Sequence, residues 1–160
     1  MIRKVLPEDA KNIANIYNTY IEHTTITFET SPVSEEEMRN RIRQISSHYP
    51  YFVYETDGEV VGYCYAHQWK EKEAYSNTAE TTIYLKNDQC GKGIGRRLMD
   101  TLINACKEAG MHALIACITV PNEASVKLHE ALGFRQVSRF YEVGYKFGRR
   151  LDIYDFERIL

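Results

Sequence analysis

Asn87-Asp-Gln-Cys-Gly-Lys-Gly-Ile-Gly-Arg96 joins a β-like run, Thr81-Thr-Ile-Tyr-Leu85, to a helix-like run from Arg96 to Ala109. Gly91, Gly93 and Gly95 stand at alternate positions. Without a Cβ they let the backbone turn tightly and aim several N–H groups to one side. The helix that follows adds unpaired N–H donors and the positive end of its dipole. Together these predict an anion site for a phosphate group. A plain turn before a plain helix gives the same local pattern, so the stretch takes its meaning from its surroundings.

The spacing narrows the ligand. A Walker loop needs Ser or Thr after Gly-Lys to hold magnesium, and Gly93 follows Gly91-Lys92 here. A dinucleotide loop wants its third glycine one position later than Gly95. A pyrophosphate such as that of coenzyme A remains.

Upstream, Ile2 to Val5 reads as a strand, and Pro7 with Glu8-Asp9 opens a helix whose Ala10, Ile13, Ala14, Tyr17 and Ile21 share a face. Thr24 to Phe28 is either a short strand or an extended segment before Pro32. Ser34 and Glu37 form a capping-box pattern before Met38, Ile42 and Ile45. Asp57-Gly58 is a hairpin signal between Tyr51–Tyr54 and Val60–Ala66. Gln68 to Tyr75 is a polar stretch carrying Trp69 and Tyr75, either a ligand-lining loop or a solvated one with anchoring aromatics.

Downstream, Asn77 to Leu85 reads as a strand entering the glycine stretch. Leu98, Leu102, Ile103 and Cys106 line one face of the next helix, which Gly110 closes. Ala113 to Val120 is a buried-type strand ended by Pro121. Glu123 to Leu132 is a short helix stopped at Gly133. Val137–Tyr145 and Leu151–Phe156 are β-like runs joined through Phe147-Gly-Arg-Arg150. The sum is a mixed α/β (α+β) fold of six to seven strands and about four helices.

At 160 residues and a net charge of −2, one domain over 1–160 is expected, with no global attraction to nucleic acid or an anionic membrane. No apolar run approaches a membrane span. Cys64, Cys90, Cys106 and Cys117 are scattered, without a Cys-x-x-Cys pair. Reduced thiols and a cytoplasmic setting are expected, with no metal site.

The ordered series of strand, Gly91-Lys-Gly-Ile-Gly-Arg96, long helix, strand, Asn122-x-x-Ser125 and Leu132-Gly-Phe134 resembles the Gcn5-related N-acetyltransferase superfamily. Ile26-Thr-Phe28, Trp69-Lys70, Ala74-Tyr75, Thr78-Ala-Glu80, Leu128-His-Glu-Ala-Leu-Gly133 and Val143-Gly-Tyr-Lys-Phe-Gly148 resemble its phosphinothricin and methionine-sulfoximine N-acetyltransferase subfamily. The resemblance implies a mostly antiparallel sheet that splays between Thr81–Leu85 and Ala113–Val120 to admit acetyl-CoA as co-substrate. It implies that Ile83, Tyr84 and Leu85 pair with the pantetheine arm. The pyrophosphate falls to Gly91, Lys92, Gly93, Ile94, Gly95 and Arg96, and Asn122 and Ser125 lie further along the arm. Cys90 departs from the Gln or Arg usual in the family, which removes one side-chain contact near the phosphates. A homodimer is implied by resemblance alone.

The chemistry needs a base, because a free amino acid is almost wholly ammonium at neutral pH. Glu80 is the candidate, with an exposed strand carboxylate as the alternative; partial burial would raise its pKa toward the working range. His129 stands where many relatives carry a thiolate-protonating tyrosine; it protonates the thiolate, positions the amine, or is structural. Cys90 and Cys106 lack a neighbouring base, which argues against covalent catalysis. Direct transfer in a ternary complex is expected, with a backbone N–H of Tyr84 or Leu85 polarising the thioester carbonyl. Phe28 and Tyr75 supply pocket walls, Lys72 a cation, and Glu73-Ala-Tyr75 the loop that contacts substrate in the subfamily. Lys146 and Arg149 are further candidate cations, with a solvated hairpin tip as the alternative for Arg149-Arg150. The expected substrate is a small amino-acid-like amine. Acetylation of protein N-termini and a non-catalytic coenzyme-binding module are the competing readings.

Overall fold

The computed structural model describes residues Met1–Leu160. Its strands are β1 (Ile2–Lys4), β2 (Tyr51–Thr56), β3 (Glu59–Gln68), β4 (Thr78–Leu85), β5 (Ala113–Val120), β6 (Arg135–Lys146) and β7 (Arg149–Ile159). Its helices are α1 (Ala10–His23), α2 (Glu35–Ser46), α3 (Ile94–Glu108) and α4 (Glu123–Ala131). The strands form one sheet in the order β1-β2-β3-β4-β5-β7-β6. All neighbours are antiparallel except β4 and β5.

Local chemistry accounts for the joints. Asp57 and Gly58 both take positive φ, 51° and 77°, which suits the tight β2–β3 turn. Phe147 and Gly148 do the same between β6 and β7, at 52° and 71°. The Ser34 hydroxyl accepts from Glu37 N–H at 3.1 Å and caps α2. Thr24 to Phe28 forms no strand and runs as an irregular segment after α1. α3 begins at Ile94, two residues before the sequence reading placed it.

Side-chain alternation divides the apolar residues between two faces. On one face α3 packs Leu98, Met99, Leu102 and Cys106 against Cys64, Ala66, Leu114, Ala116 and Phe156. On the other, α1 and α2 pack Ile13, Ile21, Met38 and Ile42 against Tyr51, Val53 and Tyr63. These two helices cover the β2–β3 end of that face and leave the β4–β5 end open for a site. No helix is long and apolar enough to cross a membrane.

Candidate active site

β4 and β5 pair only from Thr78↔Ala113 to Glu80↔Ile115. Beyond that point the strands part, and the Thr81 hydroxyl donates to Ile115 O at 3.4 Å in the fork. The resulting cleft holds about 700 Å³. Strand alternation decides which main-chain groups it sees. Lys86 N–H donates to Val61 O on β3, so in register the main-chain groups of Tyr84 and Thr82 also turn to β3. Those of Ile83 and Leu85 face the gap. Of the two N–H groups expected to polarise the thioester, that of Tyr84 is spent within the sheet, and that of Leu85 faces the gap about 16 Å along β4 from Glu80. Tyr84 instead offers its ring, packed between Tyr17, Tyr20 and Tyr63.

At the far end of the fork the glycine stretch divides its labour. Gly91 and Gly93 both sit at φ 77°, a region costly to any L side chain, and Gly93 is the N-cap of α3. Gly95 is not a turning residue. It lies buried in the first helical turn, where an added Cβ would meet Leu128, Leu85 and Ile83 at 3.5–3.7 Å. Those are ordinary contact distances, so the helix lies close over the cleft floor but a methyl group would fit. Gly91, Gly93, Gly95 and Arg96 line the cleft; Lys92 and Ile94 do not. Lys92 donates to Gln89 Oε1 at 3.2 Å, and Ile94 points into the core. The open N–H groups of the first turn of α3 suit a diphosphate. The Cys90 thiol contacts Lys86 O at 3.6 Å on the cleft rim.

Glu80 stands at the fork, half-buried, on the face opposite α3. Burial, and then the Asp155 carboxylate, push its pKa above the ordinary carboxylate value. Cys117 of β5 opens onto the same cleft and pairs in register with Asp155 of β7. The Ser138 hydroxyl donates to Asp155 at 3.0 Å. Burial, Asp155 and Glu80 push the Cys117 thiol up to about 12, so it stays protonated and is a poor nucleophile. His67 of β3 lies across from Glu80, its Nε2 3.9 Å from Glu80 Oε1. Sequence reasoning missed His67, Cys117 and Asp155. The only available signal was their parity on strands whose neighbours were unknown.

The second half of the cleft belongs to α4. The Asn122 side chain accepts from Ser125 N–H at 3.3 Å and caps that helix. His129, 3% exposed, stacks edge-on against Phe134. Its Nδ1 lies 2.8 Å from Ser125 O, so Nδ1 carries the hydrogen and Nε2 the lone pair. Burial lowers its pKa despite that carbonyl, and the ring is neutral at pH 7. A neutral ring presenting a lone pair is an acceptor. That favours positioning the amine over protonating a thiolate.

Phe28 lines the cleft from the irregular segment after α1. The segment is tied down from three directions. Buried Lys146 donates to Thr27 O at 2.8 Å, Thr119 Oγ1 donates to Ile26 O at 3.4 Å, and Arg41 clamps Glu29 with two bonds of 2.8 Å. Lys146 thus holds a wall and is not a free cation. Lys72, Glu73, Ala74 and Tyr75 are all exposed on a 3-10 turn and do not line the cleft. Tyr75 packs edge-on against Trp69 at 5.2 Å, with Lys70 over the Trp69 ring at 4.4 Å. That loop is anchored by its own aromatics, and the hairpin residue Arg149 is exposed.

Open strand edges, a glycine turn at a helix N-terminus and a half-buried carboxylate at the fork suit an acyl-carrier-dependent transferase. Residues 2–154 match the family model described as the acetyltransferase (GNAT) domain, and the chain belongs to that family. It is 38% identical to the phosphinothricin N-acetyltransferase of Streptomyces coelicolor, over 99% of this chain and 95% of that one. It is 35% identical to the L-methionine sulfoximine/L-methionine sulfone acetyltransferase of Pseudomonas aeruginosa, over 95% and 90%. A phosphinothricin acetyltransferase from Sinorhizobium meliloti in complex with AcCoA superposes with a TM-score of 0.96 at 35% identity, covering 100% and 88%. A structure described as the ribosomal-protein-alanine N-acetyltransferase of Brucella melitensis superposes at 0.97 with 32% identity, covering 100% and 99%. The protein is an N-acetyltransferase that uses acetyl-CoA.

Proposed function

We propose that the protein acetylates the α-amino group of a small amino acid with an oxygen-rich side-chain end, of the phosphinothricin, methionine sulfoximine or methionine sulfone type. The observation that carries this reading is Glu80, half-buried at the fork and lining the cleft with its pKa raised by burial and by Asp155. Glu80 takes a proton from the bound ammonium and leaves a nucleophilic amine. Phe28 shapes the wall that the amino acid meets, and Glu80 holds the ammonium. Ile83 and Leu85 pair with the pantetheine arm, with Asn122 and Ser125 beyond. Gly91, Gly93 and Arg96 with the α3 terminus hold the diphosphate. Transfer is direct within the ternary complex, since Cys117 is held as a thiol.

The chain acts as one domain over 1–160 and as a homodimer. A row of apolar side chains on the edge strand β6, including Phe140, Tyr141, Val143 and Tyr145, is exposed, which supports a self-complementary interface. Four free cysteines support a reducing, cytoplasmic setting.

The similarity to a ribosomal-protein-alanine N-acetyltransferase favours one second reading, acetylation of a protein N-terminus. Thiol release from acetyl-CoA separates the two. Turnover with methionine sulfone, methionine sulfoximine or phosphinothricin supports the first. No turnover with any of them, and turnover with an alanine-initiated peptide, removes it.

A further inference from the structure

His67 and Glu80 face each other across the β3–β4 ladder as a register pair. His67 Nδ1 lies 3.1 Å from Gln68 O. A carbonyl only accepts, so Nδ1 bears the hydrogen and Nε2 the lone pair. That lone pair is 3.9 Å from Glu80 Oε1. The gap is too long for a hydrogen bond and too short for a bridging water, and a small rotation of the Glu80 side chain closes it. His67 is one-third exposed and Glu80 slightly less so. The ring therefore links the carboxylate in the cleft to solvent outside it.

We propose that His67 is the relay partner of Glu80, receiving the substrate's proton from the carboxyl group and passing it to bulk water. The role presupposes the Glu80 base proposed above. The ammonium N–H bond breaks and its proton moves to a Glu80 oxygen. The proton then moves to His67 Nε2, forming an imidazolium, and leaves from Nε2 to water. Glu80 is restored as carboxylate and His67 as neutral ring. Nothing is oxidised or reduced.

The surroundings favour this exchange. Burial lowers the His67 pKa, partly countered by Gln68 O, while burial and Asp155 raise that of Glu80. The two groups are brought toward each other, which favours proton exchange between them. The other ionisable groups near the pair are Tyr65, Cys117, Asp155 and, beyond Tyr65, the Glu29–Arg41 pair. Tyr65 and Cys117 stay neutral near pH 7, since burial raises both. His67 is the group among them that can both accept and release a proton in that range.

The test compares His67→Gln, His67→Asn and Glu80→Gln in the full chain, with thiol release followed as imidazole is added. Each His67 variant should lose about 10-fold in kcat, keep its KM for acetyl-CoA, and regain rate in proportion to added imidazole. The unaltered protein should not respond to imidazole. Glu80→Gln should be slow and unrescued. A His67 loss that imidazole fails to restore, or no loss at all, overturns the relay and leaves the base standing. Full activity in Glu80→Gln overturns the base itself.

Discussion

Gly144→Ala tests whether Phe28 forms the amine-side wall. Gly144 lies on β6 directly beneath the Phe28 ring. A Cβ built there would stand under 3.0 Å from Cζ and Cε2 and 3.1 Å from Cε1. Ordinary carbon contacts begin near 3.4–3.5 Å, so the ring must move by about 1 Å. The backbone beneath it cannot follow easily, since Lys146 and Thr119 hold Thr27 O and Ile26 O. The side chain is 38% exposed and has room to swing. Because the colliding atoms are the far end of an exposed side chain, the stability cost should stay near or below about 1 kcal/mol. A wall displaced by a methyl-sized step costs about 10-fold in KM for the amine. Steady-state kinetics with each substrate varied should show that loss with the acetyl-CoA KM unchanged. Denaturant melts provide a second check. In a Phe28→Ala background the Gly144→Ala penalty should vanish, since the colliding ring is gone. Additive penalties, or a matching rise in the acetyl-CoA KM, would refute the assignment of this wall.

Gly93→Ala forces a side chain into the left-handed region and should cost about 1–2 kcal/mol locally. Because that turn shapes the diphosphate cradle, the acetyl-CoA KM should rise several-fold while the amine KM holds, as measured by initial rates. Asp9 should govern acid stability. Burial alone would raise its pKa, but Arg3, which donates at 2.8 and 2.9 Å, and Leu6 N–H hold it below the ordinary value. A depressed folded-state pKa gives stability that is full above the unfolded value and is lost as pH falls through the folded one. Asp9→Ala should therefore destabilise by about 1–3 kcal/mol at pH 7 and flatten the acid limb of a stability–pH curve.

The parts of the molecule legible in the sequence are those set by local chemistry. Asp57-Gly58, Ser34 with Glu37, and the glycines before α3 each impose a backbone shape on their own few residues. Glu80 was singled out as a carboxylate among small and β-branched neighbours only with the help of Thr78-Ala-Glu80, which resembles the subfamily; its neighbours alone fit an exposed strand carboxylate as well. His67, Cys117 and Asp155 were invisible for a different reason. Each lies on its own strand, and only the sheet order and register bring them beside Glu80. The same cause hid the orientation of Tyr84, whose N–H depends on which neighbour β4 pairs with. Thr24 to Phe28 has strand-like residues yet no strand to join, and long-range ties from Lys146 and Thr119 settle its course. Gly95 shows the converse limit. A glycine marks freedom or closeness, and the sequence does not say which.

The most direct measurement is the pH–rate profile of Glu80→Gln beside that of the unaltered protein, with acetyl-CoA and methionine sulfone. With its raised pKa, Glu80 is a base only once it has ionised, so kcat/KM should climb through a carboxylate limb that the variant lacks. Turnover in the variant should fall about 100-fold while acetyl-CoA binding is retained. A variant that keeps both the rate and the limb would contradict the account.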